Sequence, residues 1–268
     1  MDKTTTVAKY EYDKTTDLLF IGDTHYGVKG SLLPKLDEYL TKYDTESKLV
    51  ILGDMIDNSL LNSVGDIYEQ IKNPNDSFKF LNDFFKRHKS RILVILSGNH
   101  EYRTKRVAGV DVVELLAGNL NIPYSRTDAI LDVSVKATTR YGSRDRYNYC
   151  FALHHGAAGG RYPEKSARQG RWFQDKITGV DAYVMGHTHS ANVTPIAQEF
   201  YDRRNKSVFK RTLYYITIGP FVSDEYAERK MLRPPAYNLI RVKCYGGKKR
   251  QLRITLDEFD ENLRSTYI

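Results

Sequence analysis

Five apolar runs recur along the chain, and a short polar string follows each of them. Leu18-Leu19-Phe20-Ile21 leads into Gly22-Asp23-Thr24-His25, and Leu49-Val50-Ile51-Leu52 into Gly53-Asp54-Met55-Ile56-Asp57. Ile92-Leu93-Val94-Ile95-Leu96 leads into Ser97-Gly98-Asn99-His100-Glu101. Tyr149-Cys150-Phe151-Ala152-Leu153 precedes His154-His155-Gly156, and Ala182-Tyr183-Val184-Met185 precedes Gly186-His187-Thr188-His189. The first three runs are continuous rather than alternating, as expected of strands buried on both faces of a sheet. Between them, residues 32–43, 78–88 and 110–120 carry apolar positions at helical spacing, as in Phe78, Leu81, Phe84 and Phe85. Strands alternating with helices predict βαβ units and a parallel sheet. The last third predicts antiparallel hairpins instead. Residues 193–201 and 209–218 flank a polar turn, and residues 237–245 and 250–256 flank Gly246-Gly247. Two sheets packed face to face with helices outside are expected, in one domain over residues 1–268.

Composition adds little to this until charge is considered. The 268 residues are 41% hydrophobic and 28% charged, an ordinary globular balance that excludes disordered and fibrous classes. No apolar run reaches the ~20 residues that span a bilayer, so no membrane partner is expected. The first 17 residues are polar and of mixed charge, without the apolar stretch of a secretory signal, which predicts a cytoplasmic location. Cys150 and Cys244 form no CxxC pair, and both are expected to be reduced residues beside apolar runs. The net charge is +8, which favours anionic partners, nucleic acid above all.

The polar strings carry the chemistry. Ligands of open α/β sheets gather at the carboxyl ends of strands, and all five strings stand there. Six of the seven histidines lie inside them; His88, at the end of a charged helix, is expected to be solvated. Imidazole and carboxylate together suit a pair of divalent cations, manganese above all, with iron, zinc or nickel as alternatives. The absence of cysteine from the strings argues against a structural zinc finger. Two such ions need a bridging carboxylate, and together they lower the pKa of water and stabilise charge on phosphoryl oxygens.

Asp23-x-His25, Gly53-Asp54-x-x-Asp57, Gly98-Asn99-His100-Glu101, His155-Gly156 and Gly186-His187-x-His189 together resemble the signature of the calcineurin-like metallophosphoesterase superfamily. The resemblance implies an α/β fold, the α/β/β/α sandwich of two mixed β-sheets flanked by helices, with its core from about residue 17 to 257. It also implies one metal on Asp23, His25, Asp54 and His189, and a second on Asp54, Asn99, His155 and His187. His100 would then be the catalytic imidazole and Asp57 its orienting carboxylate. His154 competes with His155, since neighbours on a strand face opposite ways; the resemblance favours the histidine before the glycine. In the protein Ser/Thr phosphatase branch an arginine follows the second motif, where this chain has Asn58.

Substrate class is carried by cations. Arg103, Lys105 and Arg106 follow the third motif closely, and Arg161 ends a Gly-rich stretch after the fourth. A helix with Lys165, Arg168 and Arg171 beside Trp172 and Phe173 suits a nucleic-acid backbone and stacked bases. Arg103, His154 and Arg161 are the expected substrate contacts. The segments around Tyr226 and Arg233-Pro234-Pro235 further resemble phosphoesterases of phage and prophage genomes. Three readings follow. The first is a phosphodiesterase or nuclease acting on DNA, RNA or nucleotides. The second is a phosphomonoesterase or nucleotidase for a small phosphate ester. The third is a basic nucleic-acid-binding module with structural metals. Nothing in the sequence fixes the oligomeric state.

Overall fold

The structure, a computed structural model, describes residues 5–61, 67–138, 145–157, 163–229 and 237–258. Two six-stranded sheets face one another. One has the order β12-β11-β2-β3-β4-β5, built from β2 (Thr16–Ile21), β3 (Lys48–Ile51), β4 (Ile92–Leu96), β5 (Tyr124–Ser125), β11 (Asn238–Tyr245) and β12 (Gln251–Glu258). The other has the order β1-β6-β7-β8-β10-β9, from β1 (Thr6–Tyr12), β6 (Asp128–Lys136), β7 (Arg146–His154), β8 (Ala182–Met185), β9 (Asn192–Asp202) and β10 (Ser207–Thr217). Both are mixed: β2 to β5 pair in parallel while β11 pairs antiparallel with both β2 and β12, and β7-β8-β10 pair in parallel while β9 pairs antiparallel with β10.

The continuous apolar runs are explained by alternation between two cores. Leu18 and Phe20 of β2, Val50 of β3 and Val94 of β4 point inward, against Leu131, Val133, Phe151, Leu153 and Val184 of the facing sheet. Their neighbours Leu19, Ile21, Leu49, Ile51 and Ile95 point the other way, onto helices α1 (Leu33–Lys42), α2 (Pro74–His88) and α4 (Val112–Leu120). Each fully buried Leu, Ile or Phe contributes roughly 1.5–3 kcal/mol relative to exposure. Helix α5 (Pro163–Lys176) covers the outer face of the second sheet with Phe173 against Tyr183, Met185 and Tyr215. The layers are therefore α/β/β/α, as expected.

Local rules set the helix ends. Asn73 caps α2 by accepting from the Asp76 amide at 2.9 Å, with Pro74 in the first turn and Lys86, Arg87 and His88 in the last. Short α3 (Tyr102–Ala108) and α6 (Asp224–Arg229), and strands β1 and β6, were not expected from the sequence. His88 corrects another expectation. It is 4% exposed rather than solvated, 2.7 Å from Asp37 through Nε2, and its Nδ1 accepts from Arg91 at 2.8 Å. Both cysteines are free, Cys244 buried and Cys150 half-buried. No described helix is long and apolar enough to cross a membrane.

Candidate metal centre

The ligand strings stand at the carboxyl ends of β2, β3 and β4 in one sheet and of β7 and β8 in the other, so the facing sheets bring them together. The loops are laced by backbone: the Asp23 amide donates to Gly53 O at 3.0 Å, and the Gly186 amide to His155 O at 2.8 Å. Asp23, His25, Asp54, His187 and His189 all have φ between 44° and 67°, the left-handed region that disfavours side chains with a Cβ. Such strain persists where the surroundings fix it and clusters at functional sites. Gly98 leaves room for this, because a Cβ there would overlap the Asp54 carboxylate.

Three groups of donor atoms converge: Asp23, His25 and His189; His25, Asp54 and His100; and Asp54, His155 and His187. In the first, His25 Nε2 lies 3.0 Å from His189 Nε2, and His189 Nε2 lies 3.6 Å from Asp23 Oδ1. In the last, His155 Nε2 lies 3.2 Å from Asp54 Oδ2, 3.1 Å from Asn99 Oδ1 and 3.2 Å from His187 Nδ1. Ligands about 2.0–2.2 Å from one cation would stand roughly 3 Å apart, as these do. His155 Nδ1 donates to the Leu52 carbonyl at 2.8 Å, which turns Nε2 to the cluster. Metal-ligating imidazoles are commonly oriented in this way. The buried Asp23 Oδ1 has no hydrogen-bond partner. Lone pairs facing lone pairs, with an orphaned carboxylate oxygen among them, fit divalent cations.

The titrations follow from this crowding. Burial and the Asp54 charge push the Asp23 carboxyl up to about 7, although His155 works against them. Burial depresses the His155 imidazole, but Asp54 outweighs it and holds the pKa at about 10. Burial and the neighbouring His155 bring His187 down to about 4. Burial lowers His25 and His189 in the same direction, helped by their imidazole neighbours.

His100 stands at the edge, its side chain 15% exposed. Its Nδ1 donates to the Asp57 carbonyl at 2.6 Å and lies 3.2 Å from the Asp57 carboxylate. Asp57 also reaches His25 Nδ1 at 3.6 Å, and is itself held by Ser59 Oγ at 2.5 Å and Gln70 Nε2 at 2.9 Å. Burial lowers the His100 pKa, but Asp54 and Asp57 overcome this and raise it. Asn58 turns its amide onto the His100 carbonyl at 2.8 Å. Arg103 donates to the Asp57 carbonyl at 2.8 Å and approaches His100 Nε2 at 3.1 Å.

The remaining candidates separate. His154 points away from the donor cluster: its Nδ1 accepts from the Gly156 amide at 2.7 Å and its ring meets Phe173 edge-on. It still lines a cavity beside Asn99 and His155. Arg161 lies outside the described residues, as does the Lys165 side chain. Lys105 is committed to Asp111 at 3.2 Å, and Arg171 to Asp175 at 3.2 Å. Phe173 is core, whereas Trp172 is 58% exposed.

Two further residues shape the cluster. Glu101 Oε2 accepts from the amides of Asp54 (3.0 Å) and Gly98 (2.8 Å), and Oε1 from those of Met55 (2.6 Å) and Ile56 (3.2 Å). Burial and the Asp54 charge push its pKa up, and the amides oppose them. Four donors on two oxygens are the pattern of an ionised carboxylate. Tyr226 of α6, 4% exposed, stacks on His25 with centroids 5.5 Å apart and planes at 24°. Its segment was singled out in the sequence only by the resemblance to phage phosphoesterases, which gave Tyr226 itself no role.

A fold of two facing sheets with an Asp, His and Asn cluster at their strand ends agrees with a metal-dependent phosphoesterase. The chain belongs to the calcineurin-like phosphoesterase family, whose defining pattern matches residues 16–191. A solved structure similar to it is the solution NMR structure of Thermotoga maritima protein TM1076, at 12% identity and TM-score 0.35, covering 91% of this chain and 99% of that one. No curated protein matches the chain.

Proposed function

We propose that the chain is a cytoplasmic phosphodiesterase of nuclease type, acting on DNA, RNA or nucleotides. In this reading Asp23, His25, Asp54 and His189 hold one cation, and Asp54, Asn99, His155 and His187 a second, manganese in preference to iron, zinc or nickel. Bound there, the cations supply an activated water and stabilise the developing phosphoryl charge. The convergence of donor atoms on Asp54 carries the assignment.

The chain's own groups then divide the work. His100 keeps Nδ1–H on the Asp57 carbonyl, so Nε2 is the nitrogen left to carry a proton to the substrate. It gives that proton to the leaving oxygen as the ester bond breaks, and Nδ1–H keeps its bond to the Asp57 carbonyl. Protonated Nε2 and the Arg103 guanidinium would both be donors, so their contact opens and Arg103 turns to the substrate phosphate. His154 and Arg161 are the further proposed substrate contacts.

The test is a panel with manganese: p-nitrophenyl phosphate, bis(p-nitrophenyl) phosphate, and single- and double-stranded DNA. Diester turnover should dominate, vanish in Asp54→Ala and Asn99→Ala, and fall about 10²–10⁴-fold in His100→Ala. Monoester turnover alone would overturn the diester reading.

A further inference from the structure

Beside the donor cluster, on the side of Asn99 and His155, opens a cavity of about 330 Å³. That is within the range of small-ligand pockets, roughly 300–1,000 Å³. Its wall includes Ser97, Tyr102, Arg126 and Thr127. Tyr102 opens α3, two residues past His100, and Arg126 directly follows β5. The exposed Arg126 guanidinium lies over the Tyr102 ring, 5.6 Å from its centroid. An aromatic face orients a guanidinium without neutralising it.

The charge of Arg126 is unspent. Among the described residues it forms no ion pair, whereas Arg146, Arg171, Arg211, Arg241 and Arg250 each pair with a carboxylate. The acidic side chains near it in sequence are engaged: Asp128 holds Lys176 at 2.9 Å, and Asp111 holds Lys105 and the Tyr124 hydroxyl. A free planar cation on the wall of a cavity that ends at two candidate metal ligands matches an anion at fixed distance from the scissile phosphate. The half-buried Thr127 hydroxyl suits a sugar or a phosphate edge.

We propose that this cavity holds the nucleotide unit next to the scissile phosphate, with Arg126 gripping that unit's own phosphate and Tyr102 steadying the guanidinium. The inference rests on the diester reading and narrows it to substrates carrying a neighbouring phosphate.

The test uses manganese-loaded full-length protein. Hydrolysis of a thymidine dinucleotide is compared with that of its 5′-phosphorylated and 3′-phosphorylated forms, in wild type and Arg126→Ala. The variant should lose about ten- to a hundredfold more kcat/KM on one phosphorylated form than on the unphosphorylated dinucleotide, chiefly through KM. Calorimetric binding of thymidine 3′,5′-bisphosphate should weaken by a similar factor. An equal change on all three substrates, or a matching loss in Lys210→Ala, whose cation pairs with Glu199 far along the β10 strand, would overturn the proposal. Bis(p-nitrophenyl) phosphate has no second phosphate, so its turnover by wild type tests the diester reading separately.

Discussion

Replacing Glu101 with glutamine isolates the contact that ties the second ligand loop to the third. The side chains are nearly the same size, so packing is kept and only the acceptor set changes. Glutamine retains one acceptor oxygen, sufficient for two of the four amides that Glu101 serves. The other two N–H groups would face an amide NH₂. Each buried donor left without an acceptor costs about 1–3 kcal/mol, so the substitution should cost roughly 2–6 kcal/mol. Against a total stability of about 5–15 kcal/mol this is a large fraction. Urea unfolding of the chelated protein, followed by circular dichroism, should show a lower midpoint with the slope retained. Because Asp54 sits on the stapled loop, metal affinity should also fall about 10- to 100-fold. Stability within about 0.5 kcal/mol of wild type, with unchanged metal affinity, would refute the staple.

Tyr226→Ala should cost about 3–5 kcal/mol and weaken metal binding through His25, while Tyr226→Phe keeps the stack; unfolding and calorimetry distinguish them. Asp44 accepts from the Ser47 amide and hydroxyl and from Arg241, and these outweigh its burial and hold its carboxyl below the usual range. Its contribution is therefore full above about pH 4 and lost as pH falls through the depressed pKa; Asp44→Asn should cost about 1–3 kcal/mol at pH 7 and progressively less as the pH of the urea melts is taken below about 4. His155, with its pKa held at about 10, stabilises the metal-free chain below about pH 6.5, and this is lost as pH rises toward 10. A divalent cation must displace that proton, so calorimetry at pH 7 should show a binding enthalpy that depends on the buffer's ionisation enthalpy. An enthalpy independent of buffer would contradict the assignment.

The strands and the donor strings were legible because both rest on local pattern. Leu18 to Ile21 is apolar at every position since even and odd residues enter different cores. Asp23 and His25 follow because a strand end is where a ligand can be reached. Strands β1 and β6 were missed because their outer faces are polar or half-exposed: Lys9 and Glu11 alternate with Ala8 and Tyr10, which only the facing sheet makes core. His88 looked solvated amid Lys86, Arg87 and Lys89; its burial depends on Asp37 and on Arg91, the first of them 51 residues away. Tyr226 and Arg126 could not be placed from sequence, since each meets the site only through a long-range approach.

The central claim is a pair of cations held on Asp54. Metal analysis of the purified, manganese-reconstituted protein, paired with diester turnover before and after chelation, tests it most directly. Two ions per chain are expected, with turnover lost on chelation, restored by manganese, and absent together with at least one ion in Asp54→Ala. Full turnover in the chelated protein, or in Asp54→Ala, would contradict it.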